Sequence, residues 1–404
     1  MSDGTAEFRL KNAATPRLAE NRGSAFPIDA DAFVMMGGVE MYRISGFDRL
    51  PPFMMTLTSA SDHWMYVSSY GGLTAGRRDA EHALFPYETE DRLNHAHGIT
   101  GPLTMVRLDP GDGRKTLWEP LGHRLGPARV RRNIYKTVLS DRVVFEEIHD
   151  ELDLTFRYQW ACSEQFGFVR TVTLINNRPA RGVHVEIVDG LLNILPANVP
   201  LVVQQTSSCL ADAYKRCEWD ESAQLAIFSL SSLITDRPEP GESLRANIAW
   251  SRGLTSSRVL MSEEQLFAFR QGRPVTHEDF VAGKRGAFLV ASEFELPPGM
   301  QVQWDIVADL DQSHIAVEKR RQFLRNEKNI RQSLRNDINA TRAALIHRTT
   351  PADALQLTGD FAASAHHAAN VLFNSLRGGI PVDAYTIESK DFSEFLQKRN
   401  VLVA

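Results

Sequence analysis

The stretch Leu152-Asp-Leu-Thr-Phe-Arg-Tyr-Gln-Trp160 decides the fold class, because its apolar and polar residues alternate without a break. Successive side chains of a β-strand point to opposite faces, so this order predicts a strand with one apolar and one polar face. The apolar face is predicted to carry Leu152, Leu154, Phe156, Tyr158 and Trp160, and the polar face Asp153, Thr155, Arg157 and Gln159. A strand with only one side in a core is typical of an antiparallel sheet.

Runs of β-branched and aromatic residues recur on both sides of this stretch, from about residue 32 to residue 310. Turn clusters such as Asp109-Pro-Gly-Asp-Gly113 and Asn176-Asn-Arg-Pro179 separate them. The other predicted strands include 130–139, 142–148, 168–175, 183–188, 223–230, 244–250, 285–296 and 302–310. One helical interruption is predicted at Ser262–Gln271, where a capping residue precedes two glutamates. Many short strands joined by short turns predict a mainly β chain with a large antiparallel sandwich.

The hydrophobic period changes near residue 311. One apolar stripe at spacings of seven and four consists of Phe323, Ile330, Leu334, Ile338 and Leu345. It predicts a long amphipathic helix from about 313 to 347, followed by an Ala-rich helix over 352–376 and a short helix over 391–398. The predicted organisation is a polar lead-in at 1–30, a β-sandwich domain at 31–310, a helical linker at 311–350 and a further helical region at 351–404.

Composition and charge exclude several function classes. The 45 basic residues are dispersed and the formal net charge is -5, so no nucleic-acid partner is predicted. The longest apolar runs, such as Gly190–Val203, are interrupted by polar residues and prolines, so no membrane span is predicted. The start of the chain has no secretion signal, and three cysteines, Cys162, Cys209 and Cys217, give no disulfide framework. These features predict a cytoplasmic protein.

The segment from Trp64 to Tyr87 is the most informative local signal for a binding site. Its aromatic residues are able to stack on the C–H faces of a sugar, and its charged residues are able to bind hydroxyl groups. The predicted substrate-binding residues of this segment are Trp64, Tyr66, Tyr70, Arg77, Arg78, Asp79 and Tyr87. The alternative is a structural loop whose aromatic side chains fill the core and whose arginines are solvated.

Two histidines and two charged clusters give further candidates. His95 and His97 would share one face of an extended strand and converge on a substrate, or else serve as surface or core residues. Glu146 and Glu147 are predicted to point to opposite faces of a strand, which makes them a poor acid and base pair. The basic cluster Arg129, Arg131, Arg132 and Lys136 either holds an anion or forms a solvated strand face. No catalytic residue, metal site or cofactor is predicted.

Three segments resemble large bacterial proteins of the cellobiose-phosphorylase-like type. They are the stretch from Trp64 to Tyr87, Asp189-Gly-Leu-Leu-Asn-Ile-Leu-Pro196 and Phe373-Asn-Ser-Leu-Arg-Gly-Gly-Ile-Pro381. The order of a β domain, a helical linker and an Ala-rich helical region is also similar to that of inverting glycoside phosphorylases. The resemblance implies a galactose-mutarotase-like β-supersandwich, a linker and the first helices of a truncated (α/α)6 barrel. It also implies that the catalytic acid lies in the part of the barrel that this sequence does not include.

The leading hypothesis is therefore a non-catalytic, N-terminal β-sandwich portion of a carbohydrate-active enzyme, inactive alone. The resemblance implies an oligosaccharide or β-glucan and the remaining barrel as partners, a homodimer as one assembly, and inorganic phosphate as a co-substrate of the complete enzyme. Phosphorolysis and hydrolysis both stay open. The alternatives are a stand-alone glycan-binding β-sandwich and a small mutarotase-like sugar epimerase that would use His95 or His97.

Overall fold

Three antiparallel sheets make up most of the fold. The computed structural model describes residues 32–109, 115–122, 129–234, 241–255, 257–349, 363–364, 367–369 and 388–399. The predicted lead-in at 1–30 and most of the predicted helix at 352–376 lie outside these residues. Most of the region 351–404, where the first barrel helices are expected, also lies outside them. The prediction of a mainly β chain with large antiparallel sheets is confirmed.

The strands are short to medium in length and follow one another closely along the chain. The first ten are β1 Ala32–Met36, β2 Val39–Ser45, β3 Met54–Leu57, β4 His63–Ser68, β5 Leu73–Arg77, β6 Ala83–Phe85, β7 Gly101–Asp109, β8 Thr116–Trp118, β9 Val130–Thr137 and β10 Arg142–His149. The others are β11 Leu154–Ser163, β12 Gly167–Asn176, β13 Val183–Ile194, β14 Lys215–Asp220, β15 Leu225–Leu230, β16 Arg245–Arg252, β17 Arg258–Leu260, β18 Phe280–Ala282, β19 Gly286–Leu296 and β20 Gln301–Ser313.

The largest sheet has eleven strands in the order β1-β2-β9-β10-β11-β12-β20-β16-β15-β14-β18. A five-stranded sheet has the order β17-β19-β13-β7-β8, and a four-stranded sheet runs β3-β4-β5-β6. Neighbouring strands along the chain form hairpins, as with Phe145 opposite Tyr158 in the pairing of β10 with β11. The late strand β20 lies between β12 and β16, so it joins the first half of the large sheet to the second.

One core lies between the large sheet and the two smaller ones. The large sheet contributes Phe145 and Trp160, the five-stranded sheet Ile187, and the four-stranded sheet Met65 and Leu84. All five side chains are 1% exposed or less. The predicted apolar face of β11 is confirmed, because Leu154, Phe156, Tyr158 and Trp160 belong to this core and Leu152 packs against it. The apolar residues of this sequence pattern therefore point into the core, and the polar residues between them point to the outer face of the sheet.

Two helices cover the outer face of the large sheet. They are α5, His314–Asn326, and α6, Ile330–Thr349. Leu324, Ile330, Leu334 and Ile338 are buried in a second core against the outward-facing residues of the large sheet, with Phe323 packed at its edge. The predicted apolar stripe is therefore the surface that anchors the linker helices on the sandwich.

The prediction of one unbroken helix from 313 to 347 is wrong. Glu327 leaves the helix with extended backbone angles, and its amide closes the last turn on the carbonyl of Phe323. The Asn329 amide then donates to the Glu327 carboxylate at 2.7 Å, and the Asn329 carbonyl starts α6. A turn that satisfies its own backbone groups in this way separates the two helices.

Shorter helices occupy the connections. They are α1 Glu90–Leu93, α2 Leu201–Thr206, α3 Ser208–Tyr214, α4 Leu266–Arg270 and α7 Ser389–Arg399, besides a 3-10 turn at Phe47–Arg49. The interruption predicted at Ser262–Gln271 is present as the shorter α4, and the helix predicted at 391–398 is present as α7. None of the described helices is both long and apolar enough to cross a membrane. The three cysteines are free thiols, two of them buried.

Candidate functional site

An aromatic cluster lies on the outer side of the four-stranded sheet. Trp64 and Tyr66 are two residues apart on β4, so both point away from the core that holds Met65 and Val67. The Trp64 ring lies 6.1 Å from the Tyr66 ring and 5.7 Å from the Tyr87 ring. All three side chains are half-buried. Trp64, Tyr66 and Tyr87 together form what we call the Trp64 cluster.

Two contacts fix the Trp64 indole in place. Its Nε1 donates to the carbonyl of Asp79 at 3.2 Å. A Cβ atom on Gly76 of the neighbouring β5 would lie 2.4 Å from the indole, so only a glycine lets the ring lie this close to the strand. The cluster is therefore a preformed aromatic surface, which lowers the entropy lost when a ligand binds.

The charged residues predicted beside the cluster are held in ion pairs. Arg77 contacts Asp62 at 2.8 Å and Asp309 of β20 at 3.3 Å. Arg78, whose φ of 63° places it in the left-handed region, pairs with Asp311. Asp79 accepts a hydrogen bond from His82 at 2.7 Å, a contact that lowers the pKa of its carboxyl group. The two arginines join the small sheet to the large one.

A pocket of about 390 Å³ begins next to the Trp64 cluster. Pro86, the neighbour of Tyr87, lines it, and the Tyr87 amide donates to the side chain of Gln204 at 3.3 Å. The other walls come from the segment 88–100, the end of β13, helices α2 and α3, and Lys215 of β14. We call it the Asn193 pocket, after the residue at the end of β13.

Asn193 is placed by a β-bulge. The pairing of β13 with β19 shifts register between Leu192 and Ile194, and Asn193 adopts a φ of 55°. A bulge of this kind re-aims one side chain out of the regular alternation. The Asn193 amide donates to the Thr100 hydroxyl at 3.0 Å, which fixes its direction on the pocket wall. Its carbonyl oxygen is thereby oriented as a hydrogen-bond acceptor.

Charged groups also line the Asn193 pocket. Lys215 is 3% exposed and its Nζ donates to Asp212 at 2.7 Å, while Arg285 approaches the second oxygen of Asp212 at 3.9 Å. Such a set of donors and acceptors binds vicinal hydroxyl groups, which both donate and accept. Within the described residues, no group of three or more His, Cys, Asp and Glu side chains is arranged to hold a metal ion.

The two histidines do not converge, because residues 94–100 do not form the extended strand in which they would share one face. Residues 94–100 form successive turns after α1, with the His95 amide bonded to Arg92 and the Thr100 amide bonded to Ala96. Gly98 has a φ of 71°, in the left-handed region, and lies within these turns. His95 lines the Asn193 pocket, whereas His97 lines a different pocket beside Glu119 and Arg270. Tyr70 lines a third pocket.

The strand glutamates point to opposite faces, as predicted. Glu147 faces the core side and accepts hydrogen bonds from Arg132 at 2.8 Å and from the Trp118 indole at 2.7 Å. Glu146 faces outward and accepts from Asn133 and Tyr135 at 2.8 and 2.7 Å. Arg132 is only 7% exposed, so the interpretation of its basic cluster as a solvated strand face is wrong at this residue. Alternation along β9 turns Arg132 inward, where the buried Glu147 carboxylate pairs with it.

Sequence reasoning missed a fully buried ion pair between the two layers. Arg170 of β12 donates to Asp189 of β13 at 2.8 Å, and both side chains are 0% exposed. The Trp304 indole donates to the other Asp189 oxygen at 2.7 Å, and Thr104 bridges the pair. A charged residue inside the apolar run Ile187–Leu192 was the available signal. The pair joins the large sheet to the five-stranded sheet.

The fold and pocket define a two-layered, antiparallel β-sandwich with a polar pocket beside an aromatic surface. Neither a scan against family models nor a search of curated proteins finds a match. Among solved structures, a bacterial glucoamylase complexed with acarbose is similar at a TM-score of 0.41 and 11% identity over 80% of this chain. A protein described as a kojibiose phosphorylase, from the human microbiome, gives 0.35 and 6% over 60%. A protein described as an aldose 1-epimerase, from Klebsiella pneumoniae, gives 0.31 and 10% over 71%.

The chain matches different shares of these structures. It spans 41% of the glucoamylase chain, 27% of the chain described as a kojibiose phosphorylase and 92% of the chain described as an aldose 1-epimerase. These similarities are too low to place the chain in a family or to assign an activity.

Proposed function

We propose that this chain binds an oligosaccharide across the Trp64 cluster and the Asn193 pocket, as the β-sandwich portion of a carbohydrate-active enzyme of the glycoside phosphorylase or hydrolase kind. The observation that carries the proposal is that Tyr87, a member of the fixed aromatic cluster, follows the pocket residue Pro86 and bonds through its amide to Gln204 in the pocket wall. Sugar rings need both kinds of contact, since their C–H faces are apolar and their rims carry hydroxyl groups.

The dimensions and chemistry of the pocket support this assignment. A volume of about 390 Å³ lies within the range of small-molecule sites. The Asn193 amide, the Lys215–Asp212 pair and Arg285 supply donors and acceptors. The Trp64 cluster would then stack on the next sugar unit outside the pocket. A chain of at least two sugar rings is the ligand that contacts both parts.

The finer form of the proposal is a non-catalytic, N-terminal role. The sandwich would pack on a catalytic (α/α)6 barrel and shape its sugar site. Inorganic phosphate would be the co-substrate if the reaction is phosphorolysis. Two copies of the protein would form a homodimer. Its support is the resemblance of the stretch from Trp64 to Tyr87 to cellobiose-phosphorylase-like proteins. The Trp64 cluster belongs to that stretch, and Asn193 belongs to the second stretch that shows the resemblance.

A mutarotase-like epimerase is the second candidate, favoured by one observation. His95 and Asp212 line the same pocket, so an imidazole and a carboxylate share it. These are the groups that general acid and base catalysis at a sugar ring requires. Polarimetry of freshly dissolved α-D-glucose distinguishes the two candidates: acceleration of mutarotation that is lost in His95→Ala identifies an epimerase.

The binding proposal is tested by calorimetric titration of the protein with β-linked gluco-oligosaccharides of two to six units. We expect Trp64→Ala and Asn193→Ala each to raise the Kd by about fivefold or more, since each removes a central contact. Phe280→Ala is the matched control, because Phe280 is an aromatic side chain 55% exposed on β18 that does not line the Asn193 pocket. Equal affinities of the Trp64 variant and the unchanged protein would contradict the proposal.

A further inference from the structure

The third pocket, which Tyr70 lines, has a volume of about 360 Å³. Three neighbouring strands of the large sheet supply its inner wall through Arg132 of β9, Phe145 of β10 and Tyr158 of β11. Asp48, in the 3-10 turn, and Tyr70, in the turn after β4, form the outer wall and are half-buried. The inner residues are 7%, 1% and 4% exposed, so the pocket is deep and its floor is desolvated. It shares no lining residue with the Asn193 pocket.

Tyr158 places its phenolic hydroxyl group at the inner wall of this pocket. Its ring stacks on Phe145 at 5.0 Å and is covered on the other side by the Arg170 guanidinium at 4.6 Å. Within the described part of the chain, no hydrogen bond satisfies its hydroxyl group. Burial raises the pKa of Tyr158, so the phenol keeps its proton and is able to donate as well as accept. Because Tyr158 lines the pocket, a ligand or water there is able to form the hydrogen bond that the described residues do not supply.

Arg132 supplies N–H donors to the pocket, and its positive charge is balanced by an ion pair. Its Nε donates to Glu147 at 2.8 Å and its Nη2 to the carbonyl of Gly122 at 2.8 Å. Within the described residues, these two bonds leave Nη1 available, while the Glu147 carboxylate balances the positive charge. Asp48 adds an acceptor at the mouth. A site that combines one balanced guanidinium with a further carboxylate disfavours an anion and suits a neutral ligand.

We propose that this pocket binds a single neutral sugar ring or a polyol of the same size. The aromatic side chains of Phe145 and Tyr70 contact the C–H face, and Tyr158, Arg132 and Asp48 bind hydroxyl groups. The pocket would be a second, separate site, since its geometry is independent of the Asn193 pocket. The inference stands or falls without the proposed function.

The test is a titration of the full chain with methyl β-D-glucopyranoside and with myo-inositol, followed by saturation-transfer NMR and calorimetry. Tyr158→Phe deletes only the hydroxyl group, and loss of one hydrogen bond is expected to raise the Kd by about three- to tenfold. Asp48→Ala, at the mouth, is expected to act in the same direction. Phe280→Ala, at an exposed residue that lines neither this pocket nor the Asn193 pocket, should leave the affinity unchanged.

Three results would overturn the inference. One is an unchanged affinity in both Tyr158→Phe and Asp48→Ala with thermal unfolding curves like that of the unchanged protein. Another is the absence of binding by both neutral probes at tens of millimolar. Preference for glucose 6-phosphate over methyl glucoside by tenfold or more would also refute it, because the site would then select an anion. The two proposals fail separately, because Tyr158 and Asp48 line this pocket, whereas Trp64 and Asn193 belong to the other site.

Discussion

At the scale of single residues, burial of ionisable groups is the dominant electrostatic feature. His63 of β4 is 7% exposed, with its Nδ1 at 2.6 Å from the Ser61 hydroxyl and its ring edge-on to Phe168 at 4.9 Å. Burial, helped by the charge of Arg77 and opposed by that of Asp62, lowers the pKa of His63 to about 3. The imidazole is therefore neutral in the folded protein, although it would be protonated in the unfolded chain below about pH 6.5.

This difference predicts a loss of stability in acid. Between about pH 6.5 and pH 3 the unfolded chain binds a proton at His63 that the folded protein does not bind, so the free energy of unfolding falls as the pH falls, by up to about 1.4 kcal/mol per pH unit from this residue. His63→Gln removes that contribution. Urea unfolding at pH 7, 5.5 and 4.5 should show a flatter dependence for the variant. His184→Gln, at a surface histidine paired with Glu295, is the control and should keep the slope of the unchanged protein.

The buried Arg170–Asp189 pair gives a second prediction at this scale. Arg170→Met leaves the Asp189 carboxylate buried without its counter-charge, which should lower the free energy of unfolding by about 3–5 kcal/mol. The double variant Arg170→Met, Asp189→Asn removes both charges and keeps one acceptor oxygen for the Trp304 indole, while the new amide NH2 group is able to donate to the Thr104 hydroxyl oxygen. It should be more stable than the single variant in denaturant titrations; a double variant that is less stable would show that geometry rather than charge matters.

At the scale of elements, attachment of α6 to the large sheet is open to a direct test. Leu334 is 1% exposed in the outer core, so Leu334→Ala should cost about 2–5 kcal/mol of stability. Asn336→Ala changes an exposed residue on the same helix and should stay within about 0.5 kcal/mol. Chemical denaturation of the two variants gives the comparison. Equal effects would mean that the helix is not anchored by its apolar stripe.

The strands could be predicted from sequence, and most of the candidate site could not. Alternation in Leu152–Trp160 specified both the strand and its buried face, because a sheet covered on one side imposes that period. Helices α2 and α3 were not predicted, since segments of six and seven residues are stabilised by the structure around them rather than by their own pattern. They form a wall of the Asn193 pocket. The pocket therefore depends on contacts between distant segments.

The Trp64 cluster and the charged residues beside it also show that contacts between distant segments cannot be predicted from local sequence. The sequence indicated Trp64, Tyr66 and Tyr87 as one group, and the structure brings them together. It also indicated Arg77 and Arg78 as sugar-binding residues, but their partners Asp309 and Asp311 lie more than 200 positions later in the chain, and no local pattern reveals such pairs. His95 and His97 were separated by turns that start at α1, a four-residue helix.

At the scale of the whole molecule, we expect binding without turnover. Glycosyl transfer requires an acid and a facing nucleophile or base at a defined separation across the sugar, and the adjacent pair Glu146 and Glu147 is divided between two faces of β10. Incubation with phosphate and β-linked glucosides, followed by assays for sugar 1-phosphate and reducing ends, should give no turnover near 1 per second, which is the low end of usual enzyme rates. Turnover at that rate would refute the non-catalytic role.

The same buried pair between Arg170 and Asp189 affects how the two layers fluctuate. If the two sheets moved apart by the width of one water molecule, the Arg170–Asp189 ion pair would break, and so would its hydrogen bonds with Thr104 and Trp304. Both charged side chains are 0% exposed, so this separation would bring water to a fully buried ion pair. Partial opening at this point is therefore nearly as costly as complete unfolding. Amide protons of β12 and β13 should exchange with deuterium at one common opening free energy, which makes the two central strands a single cooperative unit.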